Sequence, residues 1–274
     1  MSNLILCNRN YLSVGTLSGG SWNASYPLTN LNNSLISKKA RTTDDAAASS
    51  TIIISFPSKV SSFTAIGLFG TNLSDNCTYA LTMADDSGFT TNVLTISGTL
   101  SASNIPVVSQ GSTIRPNLII PIVNGSTPYF ACRYIKLIIT DTSNSEGYIE
   151  AGRLFVGTTG RFLNPTYNLS YGYGLEVLND AEVMRSKNGV DYFGTAVIRR
   201  QFTIQLDELS AAERASLLYM YAYGPSDEWL VMLNPSETEH MQHVGFLGRV
   251  KRPNSIFGNK GNVFSNQIVI EEIV

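Results

Sequence analysis

Through the first 158 residues, short runs rich in Ile, Val, Phe, Tyr and Thr alternate with polar turn segments, the pattern of successive β-strands. Strands are predicted over 51–56, 63–69, 77–83, 92–96, 118–123 and 133–140. In the last of these Ile135, Leu137 and Ile139 share one face, while Tyr134, Lys136, Ile138 and Thr140 share the other. That is period two with one apolar face, a half-buried strand. A further strand over 148–156 follows the turn-like segment 142–147. Gly157-Thr158-Thr159-Gly160 then breaks the pattern, and Asn164-Pro165 favours an extended connection. The chain therefore divides near 157–165 into residues 1–158 and 159–274.

The second part opens on a glycine- and aromatic-rich stretch, 167–174. Its Tyr171-Gly172-Tyr173-Gly174 lacks the spacing of a phosphate-binding glycine motif and reads as a turn or a flat partner surface. A strand over 196–206 alternates Arg200, Phe202, Ile204 and Leu206 with Arg199, Gln201, Thr203 and Gln205. Its polar face is expected to be wet or to meet a neighbouring subunit. A helix is predicted from about 211 to 223, because Ser210 and Glu213 form a capping box and Gly224-Pro225 supplies a stop. Leu217, Leu218 and Tyr221 lie at helical spacing and are assigned to the core. Strands over 229–233, 245–251 and 266–273 complete a mainly β chain.

Composition narrows the function. Charged residues make up 15% of the 274, below the usual share of about 25%, and Ser, Thr and Asn stand in their place. The formal net charge of -2, without a long run of one sign, gives no footprint for nucleic acid. Nowhere do about 18 consecutive apolar residues occur, so no membrane insertion is expected. Nor does the N-terminus show a secretory signal, which implies synthesis in a cytoplasm. Cys7, Cys77 and Cys132 are widely spaced and read as small buried hydrophobes.

The search for chemistry finds little. His240 and His243 stand beside Glu237 and Glu239, but Pro235 precedes them and a strand follows, so they read as solvated turn residues. Asp44-Asp45 and Asp85-Asp86 lack the alternating ligand spacing of a calcium loop. No nucleophile elbow, zinc-protease helix or nucleotide loop is present. The expectation is a non-enzymatic protein with no cofactor and no metal. Among the basic residues Arg199, Arg200, Arg249, Lys251 and Arg252, a scattered solvated face and a match to an acidic partner both stay open.

Two groups of residues carry a resemblance. In the first part they are 26–31 (YPLTNL), 40–43 (ARTT), 66–73 (IGLFGTNL), 133–137 (RYIKL) and 148–157 (YIEAGRLFVG). They resemble discoidin-like jelly-roll domains of bacteriophage and prophage tail proteins. In the second part, the order of strand, capped helix, 233–235 (LNP), Gly248-Arg249 and 270–273 (IEEI) resembles phage tail-tip proteins of the distal-tail type. The resemblance implies a β-sandwich over 1–158, and over 159–274 a tail-tube-like β-barrel with one flanking helix. It also implies a homo-oligomeric ring, commonly sixfold, at the end of the tail tube in the virion, made in the host bacterial cytoplasm. The ring would dock the tail tube, hub and tape-measure proteins and support receptor-binding fibres. Tyr171, Tyr173, Arg199, Arg249 and Arg252 are the candidates for its assembly surface.

The competing expectation is a carbohydrate- or receptor-binding minor tail protein acting on host glycans through the first part. Trp22, Tyr26, Phe89 and Tyr129 are its candidates, because aromatic rings stack on sugar faces. An envelope hydrolase is a third and poorer option, since paired carboxylates can come from anywhere in a chain.

Overall fold

The computed structural model describes residues 4–74, 76–100, 117–124, 127, 129–158, 162–163, 173–179, 183–188, 191–193, 198–222, 227–235, 241–252, 255–258 and 263–273. The fold is mainly β. In chain order the strands of the first part are β1 (Ile5–Cys7), β2 (Thr16–Ser18), β3 (Ala40–Arg41), β4 (Ile52–Phe69), β5 (Thr78–Ala84), β6 (Leu94–Thr99), β7 (Leu118–Pro121), β8 (Phe130–Thr140), β9 (Glu150–Ala151) and β10 (Arg153–Thr158). Those of the second are β11 (Phe162–Leu163), β12 (Gly174–Asn179), β13 (Val183–Arg185), β14 (Asp191–Phe193), β15 (Ile198–Leu209), β16 (Trp229–Met232), β17 (Gly245–Arg252), β18 (Phe257–Gly258) and β19 (Phe264–Glu272). Helix α1 (Ala211–Tyr221), a single turn α2 (Met241–Val244) and two short 3-10 helices, Tyr11–Val14 and Leu28–Asn32, complete the elements among the described residues.

Strand β4 organises the first part. The sequence predicts two strands over 51–56 and 63–69, but the backbone stays extended through all 18 residues. Irregularities between Ser55 and Val60 and between Val60 and Phe63 bend it, and the exposed Pro57 to Lys59 stretch hid the continuity. Its first half lies between β2 and β8, its second half between β7 and β10. One strand thus serves both layers of a sandwich. At the bend Phe56 packs on Tyr11 and Phe63, with ring centroids 5.6 and 5.0 Å away. Strand β8 keeps its expected alternation, with Ile135, Leu137 and Ile139 at most 2% exposed.

The second half of β4 is buried on both faces. Ile66 and Leu68 face the sandwich core, whereas Ala65 and Phe69 face a separate core shared with the second part. There Phe69 and Phe155 join Ile5, Leu230, Met232 and Leu247. The second-part sheet, ordered β11-β1-β16-β17-β19-β15-β12, includes the N-terminal strand β1. Alternation along β1, β16 and β17 sends Ile5, Leu230 and Leu247 to the shared core. The same alternation sends Leu6, Val231 and Phe246 to the second part's own core beneath α1.

Two chain crossings tie the parts together. Leu6 and Cys7 pair with Leu163 and Phe162, and Asn10 bridges Gly157. The Asn8 side-chain amide donates to the Met220 carbonyl at 2.8 Å, and that of Asn10 donates to the Leu154 carbonyl at 2.8 Å. Arg153 donates to Glu228 Oε2 through Nε at 3.0 Å and Nη2 at 2.7 Å, with both side chains under 10% exposed. All three cysteines are buried and none of them forms a disulfide. Burial pushes the Cys77 and Cys132 thiols up to about 12, so neither is a reactive thiolate near neutrality.

Helix α1 starts where the capping box places it. The Glu213 amide donates to Ser210 Oγ at 3.3 Å, and the Ser210 amide donates to Glu213 Oε2 at 2.7 Å. The helix ends at Tyr221, with Ala222 as its cap. Ser210→Ala is expected to cost about 1 kcal/mol and lower the unfolding temperature by about 2–4 °C in thermal denaturation. Of the helical residues assigned to the core, Leu217 is buried, Tyr221 is half-buried and Leu218 is 52% exposed. Met220, one turn from Leu217, takes the position assigned to Leu218. Arg200 is likewise no surface residue. It is 3% exposed and bonded through Nε to Glu272 Oε2 at 2.8 Å, a partner too far along the chain for local pattern to reveal.

Candidate functional site

At the end of the sandwich where β8 finishes, five segments converge. Asp141, 1% exposed, accepts from the Ser74 amide at 2.8 Å. Asn72 spans the gap beyond: its Oδ1 accepts from the Glu150 amide at 2.7 Å, and its Nδ2 donates to the Tyr148 carbonyl at 2.9 Å and to Glu146 Oε2 at 3.2 Å. Pairing of β3 with β9 sets Arg41 opposite Glu150. The Tyr26 loop closes on the same strand, because the Arg41 amide donates to the Tyr26 carbonyl at 2.9 Å.

These constraints build one cluster. Arg41 Nη2 donates to Glu150 Oε2 at 2.7 Å. The guanidinium carbon lies 4.5 Å from the centre of the Tyr26 ring and 4.2 Å from that of Tyr148, so the cation is held between two aromatic faces. Its hydrogen bond to Glu150 raises the Arg41 pKa further, and a hydrogen bond to Glu146 raises that of Tyr148. Tyr26 is 40% exposed and Glu146 is exposed. Trp22 stands beside the cluster, bridging Thr42 and donating its indole N–H to the Gly19 carbonyl at 3.0 Å. It is only half-buried and packs on the sandwich core. The arrangement offers a ring face, a fixed cation and a carboxylate within one surface.

The four aromatics named from sequence do not form one site. Trp22 and Tyr26 come together, and the chain adds Glu146 together with Arg41, Asn72 and Tyr148, which lie in the segments 40–43, 66–73 and 148–157 that carry the resemblance but are not among the sugar-binding candidates. Phe89 and Tyr129 lie at the opposite end, where β8 begins. There the Asn92 amide nitrogen donates to the Ala131 carbonyl at 3.1 Å, and Phe89 meets Tyr134 edge-on at 6.5 Å with Lys136 over its face at 4.5 Å. Phe89 holds φ of 56°, costly for an aromatic residue. Asp86 anchors that loop by accepting from the Gly88, Thr90 and Thr91 amides, and the Thr91 bond leads in holding its carboxyl down to about 2. Asp85 pairs with Lys59 at 2.6 Å, and Asp44 accepts from the Ala46 amide at 2.9 Å.

A second candidate surface lies on the other part. Edge strand β12 pairs with β15 and, among the described residues, with nothing on its outer side. Its register sets Leu175 beside Phe202 and Val177 beside Arg200, both buried. Yet Tyr173, Leu175 and Val177 are 54%, 47% and 60% exposed. Of the other residues expected at an assembly surface, Arg199 donates to Glu271 at 2.9 Å and Arg249 is exposed on β17. Tyr171, His240, and the side chains of Arg252 and His243 lie outside what the structure describes.

No family model matches the chain, and no curated protein matches it. Among solved structures similar to it are carbohydrate-binding modules. One is the galactose-bound family 32 module of NanJ from Clostridium perfringens, 13% identical over 55% of this chain and 98% of that chain, with a TM-score of 0.39. Another is a chitosan-binding module of a Paenibacillus chitosanase/glucanase, 13% identical over 54% and 98%, with a TM-score of 0.38. A truncated AlyQ with its family 32 module and alginate lyase domains is 9% identical over 98% and 97%, with a TM-score of 0.38. Likeness at these TM-scores assigns no ligand and no activity to this chain.

Proposed function

We propose that this chain is a non-enzymatic sugar-binding protein whose ligand docks on the Tyr26, Arg41 and Tyr148 end of the first part. The observation that carries the reading is the guanidinium fixed between two tyrosine rings beside the exposed Glu146. A sugar has an apolar C–H face and a rim of hydroxyls. Tyr26 offers the face a flat apolar surface, while Arg41 donates to hydroxyl oxygens and Glu146 accepts from hydroxyl protons. Because neighbouring bonds already hold these groups, little side-chain freedom is lost on binding. A glycan array followed by calorimetry tests the reading. The wild type is expected to bind at least one glycan, and Tyr26→Ala to weaken that binding about tenfold, the loss of one aromatic contact. An array without binding sinks the reading.

A second reading is favoured by the uncovered β12 face, and the two are compatible. In it the chain is a subunit of a ring at the end of a bacteriophage tail tube, located at the virion tail tip, with 1–158 and 159–274 as its two working parts. The second part joins copies of the chain and contacts tube, hub and tape-measure proteins, and the first part presents the sugar-binding end to host glycans. An exposed apolar edge strand is a liability in a monomer and an asset in an assembly. Imaging virions with labelled subunits checks it: label at the tail end is expected, and label elsewhere contradicts it.

A further inference from the structure

We propose that the uncovered face of β12 is filled by helix α1 of a second copy of this chain, the copies joining head to tail. The proposal rests on the assembly reading and names its contact. Leu175, Phe202, Ile270 and Val250 form one row across β12, β15, β19 and β17. The last three are at most 4% exposed, while Leu175 is 47% exposed, so among the described residues the core runs out onto the edge strand without a cover. Leu217 and Met220 of α1 pack into the same core as Phe202, and the helix covers the row only that far.

The opposite face of α1 is also uncovered. Ala211, Ala215, Leu218 and Ala222 are all exposed and follow one another at intervals of four, three and four residues, which places them on one stripe. The stripe carries no charge and is about 16 Å long, against about 13 Å from Tyr173 to Val177 on β12. A helix already committed to its own core through Leu217 and Met220 cannot turn its outer stripe onto its own β12. A second copy can supply it.

Charge favours the same match. Exposed Arg185 and Lys187 follow β12 closely along the chain, while exposed Asp207 and Glu208 precede α1. The residues that adjoin the two strips in the chain thus carry opposite charge, beside the exposed Glu176 of β12 itself. The two patches differ, so the contact is heterologous and closes into a ring when its rotation divides a full turn.

Light scattering during size-exclusion chromatography, up to about 100 µM where a micromolar contact is filled, tests the proposal. Wild type is expected to assemble, and Val177→Lys to be monomeric with an unchanged unfolding temperature. Lys187→Glu and Glu208→Lys are each expected to move the assembly midpoint about tenfold higher, and the two together to restore it to within about threefold. Should Val177→Lys unfold, Leu218→Lys on the exposed helix face is expected to give the same loss of assembly. A wild type monomeric throughout overturns both this contact and the assembly reading. Assembly that survives these substitutions overturns the contact alone.

Discussion

Glu228→Ala is expected to destabilise the protein by about 3–5 kcal/mol, because it strands the buried Arg153 guanidinium at the seam without its anion. For a chain of this size that is a fall of roughly 8–15 °C in the unfolding temperature. The pair is worth less than this loss suggests. Arg153 Nη1 and Glu228 Oε1 are buried with no hydrogen-bond partner among the described residues, so its desolvation is incompletely offset. Replacing both residues, as Arg153→Met with Glu228→Leu, is expected to recover most of the stability. Calorimetry of the three variants checks the ordering. If Glu228→Ala melts within about 2 °C of the wild type, the seam is not held as described. The Lys59–Asp85 pair supplies a contrast: with side chains 50% and 25% exposed, its removal is expected to cost less than about 1 kcal/mol.

Gly152→Ala carries the second large effect, about 3 kcal/mol, the upper part of the range for overpacking. A Cβ on Gly152 would collide with the Ile36 carbonyl oxygen, a backbone atom that cannot swing aside as a side-chain tip can. Ile36 belongs to the shared core, and Arg153 next to Gly152 reaches across the seam to Glu228. The alanine therefore disturbs both parts at once, and a fall of about 6–10 °C in unfolding temperature is expected. Gly147→Ala makes a sensitive control, because no atom approaches its added Cβ and only its φ of 69° opposes the change.

The Gly152-Arg153-Leu154 run shows what the sequence could and could not disclose. It falls within the strand predicted over 148–156, and β10 begins at Arg153. Its second role was invisible, since the partner of Arg153 lies 75 residues away and nothing local marks Glu228. The same division holds elsewhere. Alternation along β8 and the Ser210–Glu213 box depend on neighbouring residues, and both appear in the structure as read. The unity of β4 was hidden because bulges break period two where the strand bends between layers. The β12 stretch was hidden because its leading glycines read as a turn. Arg200 looked like a surface base because its counter-charge, Glu272, stands 72 residues on.

For the candidate site the sequence supplied residue types but no geometry. Trp22, Tyr26, Phe89 and Tyr129 share a chemistry, and topology sends the two pairs to opposite ends of the sandwich. Arg41 and Tyr148 stand in segments read for the sandwich fold rather than for a site, because their contact depends on the pairing of β3 with β9, two strands of two residues each separated by more than a hundred residues.

The most direct test of the sugar-binding account is a nuclear magnetic resonance titration of the backbone amides with whichever glycan the array selects. The account predicts shifts gathered at residues 22–26, 40–44, 72–74 and 146–150, saturating with the calorimetric affinity, while the amides of 85–92 and 129–133 stay in place. Shifts gathered at the Phe89 and Tyr129 end, or spread over the second part, would contradict it.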